Sequence, residues 1–139
     1  MHPCSQSKKV LVVDEDPEMR IFLSHLLELG GFQAITAVDA LEGLQRLEEE
    51  PPDMILLAVM FDASGRLIMF RDIKQDERFQ DIPLVLISNI EKRHLYQLRI
   101  LPQVPGKGLL SRPDGVLARP PEAEELLGVL KRLSQMEEA

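Results

Sequence analysis

The chain has 139 residues, 45% of them hydrophobic, which suits one domain with a substantial core and leaves little room for a second. Its 23 acidic and 16 basic residues give a net charge of −7. A nucleic-acid groove normally carries the opposite sign, so we expect no direct nucleic-acid binding by this domain. The single cysteine, Cys4, excludes an internal disulfide and a multi-thiolate metal site. It lies in a polar leader, residues 1–7, where a free thiol fits a reducing cytoplasm. With no apolar run long enough to span a bilayer, we expect a cytoplasmic location without membrane insertion.

Short apolar runs, bounded by acidic residues, prolines or glycines, recur along the chain. Runs of this length rich in Val, Ile and Leu are typical of strands buried on both faces of a parallel sheet. The predicted strands cover residues 10–13, 32–37, 54–59, 83–87 and 115–118. Amphipathic segments separate them, so the alternation predicts an α/β fold with helices on both faces of the sheet.

The first two helices have clear start signals. Asp16 is a capping residue with Pro17 at the first helical position, and Asp39 with Glu42 has the spacing of a capping box. The apolar residues expected to face inward are Ile21, Phe22, Leu26 and Leu29 in the first helix and Leu41, Leu44 and Leu47 in the second. Three further helices are predicted through residues 67–74, 95–101 and 126–133.

The regular alternation fails between the fourth and fifth strands. Residues 102–121 hold five of the ten prolines and three of the eight glycines. We interpret residues 101–114 as a Pro/Gly-rich insertion within a single domain over residues 8–134, followed by a frayed tail or start of a linker at residues 135–139.

In a parallel sheet of this kind, ligands and chemistry sit at the carboxyl ends of the strands. Asp14 and Glu15 follow the first strand, Ser88 follows the fourth, and Arg119 with Pro120 follows the fifth. Together with the runs at residues 10–17, 52–57 and 81–88, these residues resemble the receiver domain of bacterial two-component response regulators. The resemblance extends over residues 8–134.

The resemblance implies a doubly wound, five-stranded parallel sheet of order 2-1-3-4-5, a flavodoxin- or CheY-like three-layer sandwich. In that family an acidic pair after the first strand helps to bind Mg²⁺, and an aspartate ending the third strand accepts a phosphoryl group from a histidine kinase. A Ser or Thr after the fourth strand and a Lys after the fifth contact the phosphoryl oxygens. Asp14, Glu15 and Ser88 match three of these positions, and Arg119 stands in place of the Lys.

The acceptor position departs from the family, because Ala58 stands where the aspartate is expected. An alanine methyl has no nucleophile and forms no acyl phosphate. Asp53 lies five residues earlier, at the other end of the strand, and Asp62 lies four residues later, in the following loop. The family's aromatic switch position is also changed, since it holds Val116.

Two interpretations of the remaining site stay open. Asp14 and Glu15 form a weak Mg²⁺ site, or Arg119 takes the place of the metal and pairs with Asp14, which a guanidinium does well. In the second case we expect Arg119 within hydrogen-bonding distance of Asp14 and a cis bond before Pro120, as in the family. Ser88 is either a relic of phosphoryl contact or the N-cap of the next helix.

The combination predicts a pseudo-receiver that is neither an enzyme nor dependent on a cofactor, and that acts by phosphorylation-independent protein–protein interaction. Its partner is expected to be a signalling protein or a downstream output domain. The alternative is a receiver phosphorylated at a substitute residue, Asp62 or Glu15. The expected partner surface includes Leu109, Leu110 and Val116; Leu109 and Leu110 have the alternative role of covering the core.

Overall fold

We describe a computed structural model of the chain over residues 8–59, 69–89 and 113–138. The predicted helix through residues 95–101, most of the insertion at 101–114 and the loop residue Asp62 lie outside the described residues. Among the helices that are described, none has the length and apolar character needed to cross a membrane.

The five predicted strands are all present, and every strand end lies within one residue of its predicted position. The helices and strands are β1 (Lys9–Val13), α1 (Pro17–Leu29), β2 (Gln33–Ala37), α2 (Ala40–Glu49), β3 (Met54–Ala58), α3 (Phe70–Gln75), β4 (Leu84–Ser88), β5 (Gly115–Ala118) and α4 (Ala123–Glu138).

The strands form one parallel sheet of order β2-β1-β3-β4-β5, which confirms the predicted fold class and strand order. In the register of the sheet, Val13 pairs with Leu57, and Ala58 with Ile87. Ser88, predicted to follow β4, is its last residue and pairs with Ala118. Because all strands run the same way, their carboxyl ends lie along a single edge.

Each face of the sheet has its own buried layer, because successive strand side chains point to opposite sides. Val10 and Val12 of β1 pack with the apolar residues of α1 and α4, whereas Leu11 and Val13 pack with those of α2 and α3. All the residues of β3 and β4 are buried, as expected for central strands covered on both faces.

The predicted inward face of α1 is wrong in part. Ile21, Phe22 and Leu29 are 61%, 39% and 81% exposed, and the buried residues of this helix are Leu23, Leu26 and Leu27. The helix has apolar residues on more than one side, so spacing alone does not fix its rotation about its axis. Packing fixes it, because Leu23, Leu26 and Leu27 share one buried layer with the apolar residues of β1 and α4.

The predicted face of α2 is wrong at one position. Leu41 is 69% exposed, whereas Leu47 is fully buried and Leu44 packs against the core from a partly buried position. The predicted cap is confirmed, since the Asp39 carboxylate accepts a hydrogen bond of 2.9 Å from the backbone N–H of Glu42. Leu41 therefore lies in the first turn of α2, close to the capping residue, and precedes Leu44 and Leu47, which pack against the core.

The start of α1 agrees with the prediction, whereas the end of α4 lies later in the chain than predicted. Asp16 caps α1 as predicted, its carboxylate accepting a hydrogen bond from the Glu18 N–H at 2.9 Å. At the other end of the chain, α4 continues to Glu138, where the sequence predicts a frayed tail from Gln135. The segment from Gln135 to Glu138 contains no glycine or proline that would end the helix.

Candidate functional site

The carboxyl edge of the sheet brings together residues that are distant in the sequence. Asp14 directly follows β1, Ala58 ends β3, and Arg119 directly follows β5. Asp14 and Arg119 are separated by 105 positions and are in direct contact. The predicted pairing across this edge is therefore confirmed, and so is the cis peptide bond between Arg119 and Pro120.

The contact between Asp14 and Arg119 is bidentate. Arg119 Nη1 donates to Asp14 Oδ2 at 2.5 Å, and Nη2 donates to Oδ1 at 3.1 Å. The Asp14 side chain is 3% exposed and that of Arg119 is 20% exposed. The hydrogen bond to the carboxylate raises the pKa of the Arg119 guanidinium above its usual value. Parallel N–H···O bonds of this type are among the stronger charged contacts in proteins.

Asp16 and Arg20 also form hydrogen bonds with Asp14. The backbone N–H of Asp16 donates to Asp14 Oδ1 at 2.9 Å, and Arg20 Nη1 donates to the Asp14 main-chain carbonyl at 2.7 Å. Arg119 Nη2 also lies 3.7 Å from Asp16 Oδ2. We call Asp14, Asp16, Arg20 and Arg119 the carboxylate pocket. Its aspartates and arginines balance in formal charge.

The residues of the carboxylate pocket do not fit the magnesium ion that the receiver resemblance implies. Mg²⁺ requires an octahedral set of oxygen ligands close to the ideal geometry. Both Asp14 carboxylate oxygens accept hydrogen bonds from Arg119, Glu15 is exposed, and Ala58 has no side-chain oxygen. Within the described ranges, no group of three or more His, Cys, Asp or Glu side chains is arranged to hold a metal.

The end of β3 contains no acidic side chain. Ala58 is 5% exposed, and the N–H of the next residue, Val59, donates to the Ile87 carbonyl of β4 at 2.9 Å. Asp53 lies at the opposite end of the same strand, where its carboxylate accepts a hydrogen bond from the Lys9 N–H at 2.7 Å. Asp53 is therefore not a shifted copy of the acceptor aspartate. It stabilises the backbone of β1 at the amino edge of the sheet.

Of the other predicted site residues, Ser88 and Val116 lie within the described part of the chain, and Leu109 and Leu110 lie outside it. Ser88 is buried at the end of β4, and the helix that it was predicted to cap lies outside the described residues. Val116 is half-buried and packs against the core layer of α2 and α3. Leu109 and Leu110 lie in the undescribed part of the chain, so their role at a partner surface stays a prediction.

Two members of the carboxylate pocket were not predicted as site residues. Arg20 lies in the first turns of α1, and Asp16 was assigned only as the cap of that helix. The signal available in the sequence is their spacing, since a helix that starts directly after a strand end brings its first polar residues to that same end. Arg20 is six residues from Asp14, within reach of its carbonyl.

A second buried charge lies at the opposite, amino edge of the sheet. The Lys74 side chain of α3 is 7% exposed, and its ammonium is 3.5 Å from both the Gln80 carbonyl and Asp114 Oδ2. Asp114 Oδ2 also accepts from the Leu84 N–H at 2.7 Å, and the Asp114 N–H donates to the Leu84 carbonyl at 2.7 Å. We call Lys74, Gln80, Leu84 and Asp114 the Asp114 cluster. It joins α3, β4 and the start of β5.

The sheet order and the polar residues at its carboxyl edge define an α/β domain of the receiver type. A family model described as "Response regulator receiver domain" matches residues 10–111, and the chain belongs to this family. Receiver domains of response regulators are regulatory modules of two-component signalling.

Comparison with individual proteins agrees with this assignment. The chain is 28% identical over 127 residues to the DNA-binding dual master transcriptional regulator RpaA of Synechocystis, covering 90% of this chain but 48% of RpaA. It thus spans about half the length of that regulator. It is also 28% identical over 131 residues to Protein PilG of Pseudomonas aeruginosa, covering 94% of this chain and 90% of PilG. The solved structure of chemotaxis protein CheY4 of Vibrio cholerae shares the fold, with a TM-score of 0.72 and 23% identity over 92% of this chain and 99% of CheY4.

Proposed function

We propose that this domain is a pseudo-receiver, which transmits its signal by protein–protein interaction without phosphorylation at the usual position. The observation that carries the proposal is Ala58 at the end of β3, where the family has its acceptor aspartate. An alanine side chain offers neither a nucleophile for the phosphoryl group nor an oxygen for a metal.

The surroundings of Ala58 support the same function. In the family, a lysine after the fifth strand contacts the phosphoryl group; here Arg119 is committed to Asp14 by two hydrogen bonds. The switch position holds Val116, which is half-buried against the core and lacks the aromatic ring that reports phosphorylation in the family. The acceptor, the phosphoryl-binding cation and the aromatic switch are thus all altered in one domain.

The partner that we propose is another signalling protein or a downstream output domain. RpaA, a DNA-binding transcriptional regulator by its name, is about twice as long as the region that matches this chain. PilG, in contrast, is matched over nearly its whole length. We place the domain in the cytoplasm, without an enzymatic activity or a cofactor of its own, and without direct contact to nucleic acid, because its net charge is −7.

The experiment is treatment of the purified chain with acetyl phosphate and Mg²⁺, followed by intact-mass measurement. The expected result is an unchanged mass, whereas a receiver that keeps its acceptor aspartate, treated in parallel, gains one phosphoryl group. A stoichiometric adduct on this chain refutes the proposal.

The alternative function is phosphorylation at a substitute carboxylate. Glu15 is exposed at the same edge of the sheet, and Asp62 follows β3 in the sequence. An adduct that disappears in Glu15→Gln or in Asp62→Asn would identify that residue as the acceptor and establish the alternative. Both variants are therefore measured together with the unmodified chain.

A further inference from the structure

The guanidinium of Arg119 is the cation that the carboxylate pocket already contains. It lies against both oxygens of Asp14, which is 2% exposed, and its Nη2 also faces Asp16 at 3.7 Å. Arg20 adds a second positive group on the main-chain side of Asp14. A divalent cation that entered here would have to break a bidentate, largely buried ion pair and take Asp14, the bidentate partner, away from the guanidinium.

We propose that Arg119 is a permanent, protein-borne cation that closes the carboxylate pocket to divalent metal ions. The pocket then keeps one charge state at any magnesium concentration. The inference rests on the proposed function in treating the pocket as one that no longer serves phosphotransfer. The acetyl phosphate experiment on the unmodified chain tests the proposed function, whereas metal binding by variants of Arg119 tests this inference, so the two proposals can fail separately.

The physical reason is the difference between the two cations. Arginine stays charged at every physiological pH and forms a planar, bidentate contact with one carboxylate. Mg²⁺ gives up its hydration water reluctantly and requires several oxygen ligands at once. In a pocket where Asp14 is the buried carboxylate and Ala58 contributes no oxygen, the tethered guanidinium has the better geometry and does not have to be recruited from solution.

The test uses the chain of 139 residues and the variant Arg119→Met, which removes the charge and keeps an apolar stem. Its melting temperature is expected to fall by roughly 5–12 °C in EDTA, because a largely buried carboxylate loses its partner. Mg²⁺ at about ten times its dissociation constant should then restore roughly 3–6 °C. The unmodified chain should melt at the same temperature with and without Mg²⁺.

Two control variants identify the site of the effect. Arg78→Met makes the same change of net charge at an exposed arginine, which pairs with Asp76, and should show no response to Mg²⁺. Arg119→Met combined with Asp14→Asn should lose the recovery, because the carboxylate that would bind the ion is gone. Addition of Mn²⁺ should broaden the amide signals of Glu15 and Asp16 in Arg119→Met only.

Two results of these measurements would overturn the inference. Equal responses of the unmodified chain and of Arg119→Met overturn the inference, because the guanidinium would then exclude nothing. A folded Arg119→Met that responds to neither Mg²⁺ nor Mn²⁺ also overturns it. If Arg119→Met does not fold, Arg119→Gln, which keeps neutral hydrogen-bond donors, is measured in the same way. A phosphoryl adduct in the acetyl phosphate experiment would refute the proposed function and leave these measurements unaffected.

Discussion

Replacing Asp114 with asparagine tests whether the Asp114 cluster stabilises the sheet at its amino edge. The change removes a negative charge 3.5 Å from the buried ammonium of Lys74 and keeps a side-chain oxygen for the Leu84 N–H. Replacing the same residue with alanine removes both contacts. Comparing the two variants therefore separates the ion pair from the backbone hydrogen bond.

The exposure of Lys74 and Asp114 determines how much free energy of unfolding is lost when their ion pair is broken. Breaking a fully buried ion pair costs about 3–5 kcal/mol, and an exposed pair contributes about 0.2–1 kcal/mol. Lys74 is 7% exposed and Asp114 is 37% exposed, so the pair lies between these limits. We expect Asp114→Asn to lower the free energy of unfolding by about 1–2 kcal/mol. Asp114→Ala should lower it by about 3 kcal/mol, because the Leu84 N–H also loses its acceptor.

The assay is thermal and urea unfolding followed by circular dichroism. For a domain of this size, about 1–2 kcal/mol corresponds to a melting temperature lower by roughly 3–8 °C. A cycle with Lys74→Met measures the pair directly: the double variant should be less destabilised than the sum of the single variants by about 1 kcal/mol. Equal stability of the unmodified chain and Asp114→Asn, or additive effects in the cycle, would refute the assigned role of the pair.

Two further predictions concern other parts of the chain. If Leu109 and Leu110 belong to a partner surface, changing both to serine should leave the melting temperature within about 3 °C of that of the unmodified chain, since each surface change outside the core alters the free energy of unfolding by about 0.5 kcal/mol or less; a loss of about 8 °C or more would show instead that they cover the core. Asp39→Ala removes the cap of α2 and should lower the free energy of unfolding by about 1 kcal/mol in urea denaturation, whereas Asp39→Ser, which keeps a capping oxygen, should recover most of it.

The sequence predicts the strands well because each is a short apolar run with polar or helix-breaking residues on both sides. The strand order is a different case, since it follows from the resemblance and from no property of a single strand. Rotation of α1 is not predictable from spacing, because Ile21 and Leu23 are equally apolar and packing against the sheet and α4 decides between them. Local signals therefore define the elements, and contacts between elements define their faces.

The carboxylate pocket is predictable in part for a related reason. Asp14 and Arg119 both follow strands, and the carboxyl ends of parallel strands share one edge. Two strands separate β1 from β5 in the sheet, so the expectation that these two side chains meet follows from the resemblance to the receiver family. The pair of Lys74 and Asp114 has no such signal. Its formation depends on the position of α3 over the sheet and on the alignment of Asp114 with Leu84, 30 residues away in the sequence.

The long sequence separation of the ion pair between Asp14 and Arg119 has a consequence for the order in which the chain folds. The two residues are 105 positions apart, so the first strand is synthesised long before its partner in the pocket leaves the ribosome. Joining residues this far apart has a large loop-closure entropy until the intervening strands have paired, so we expect the contact to form late in folding. We therefore predict that the pair contributes little to the transition state for folding. Its loss should accelerate unfolding more than it slows folding, which would make Arg119 a determinant of how long each folded molecule lasts.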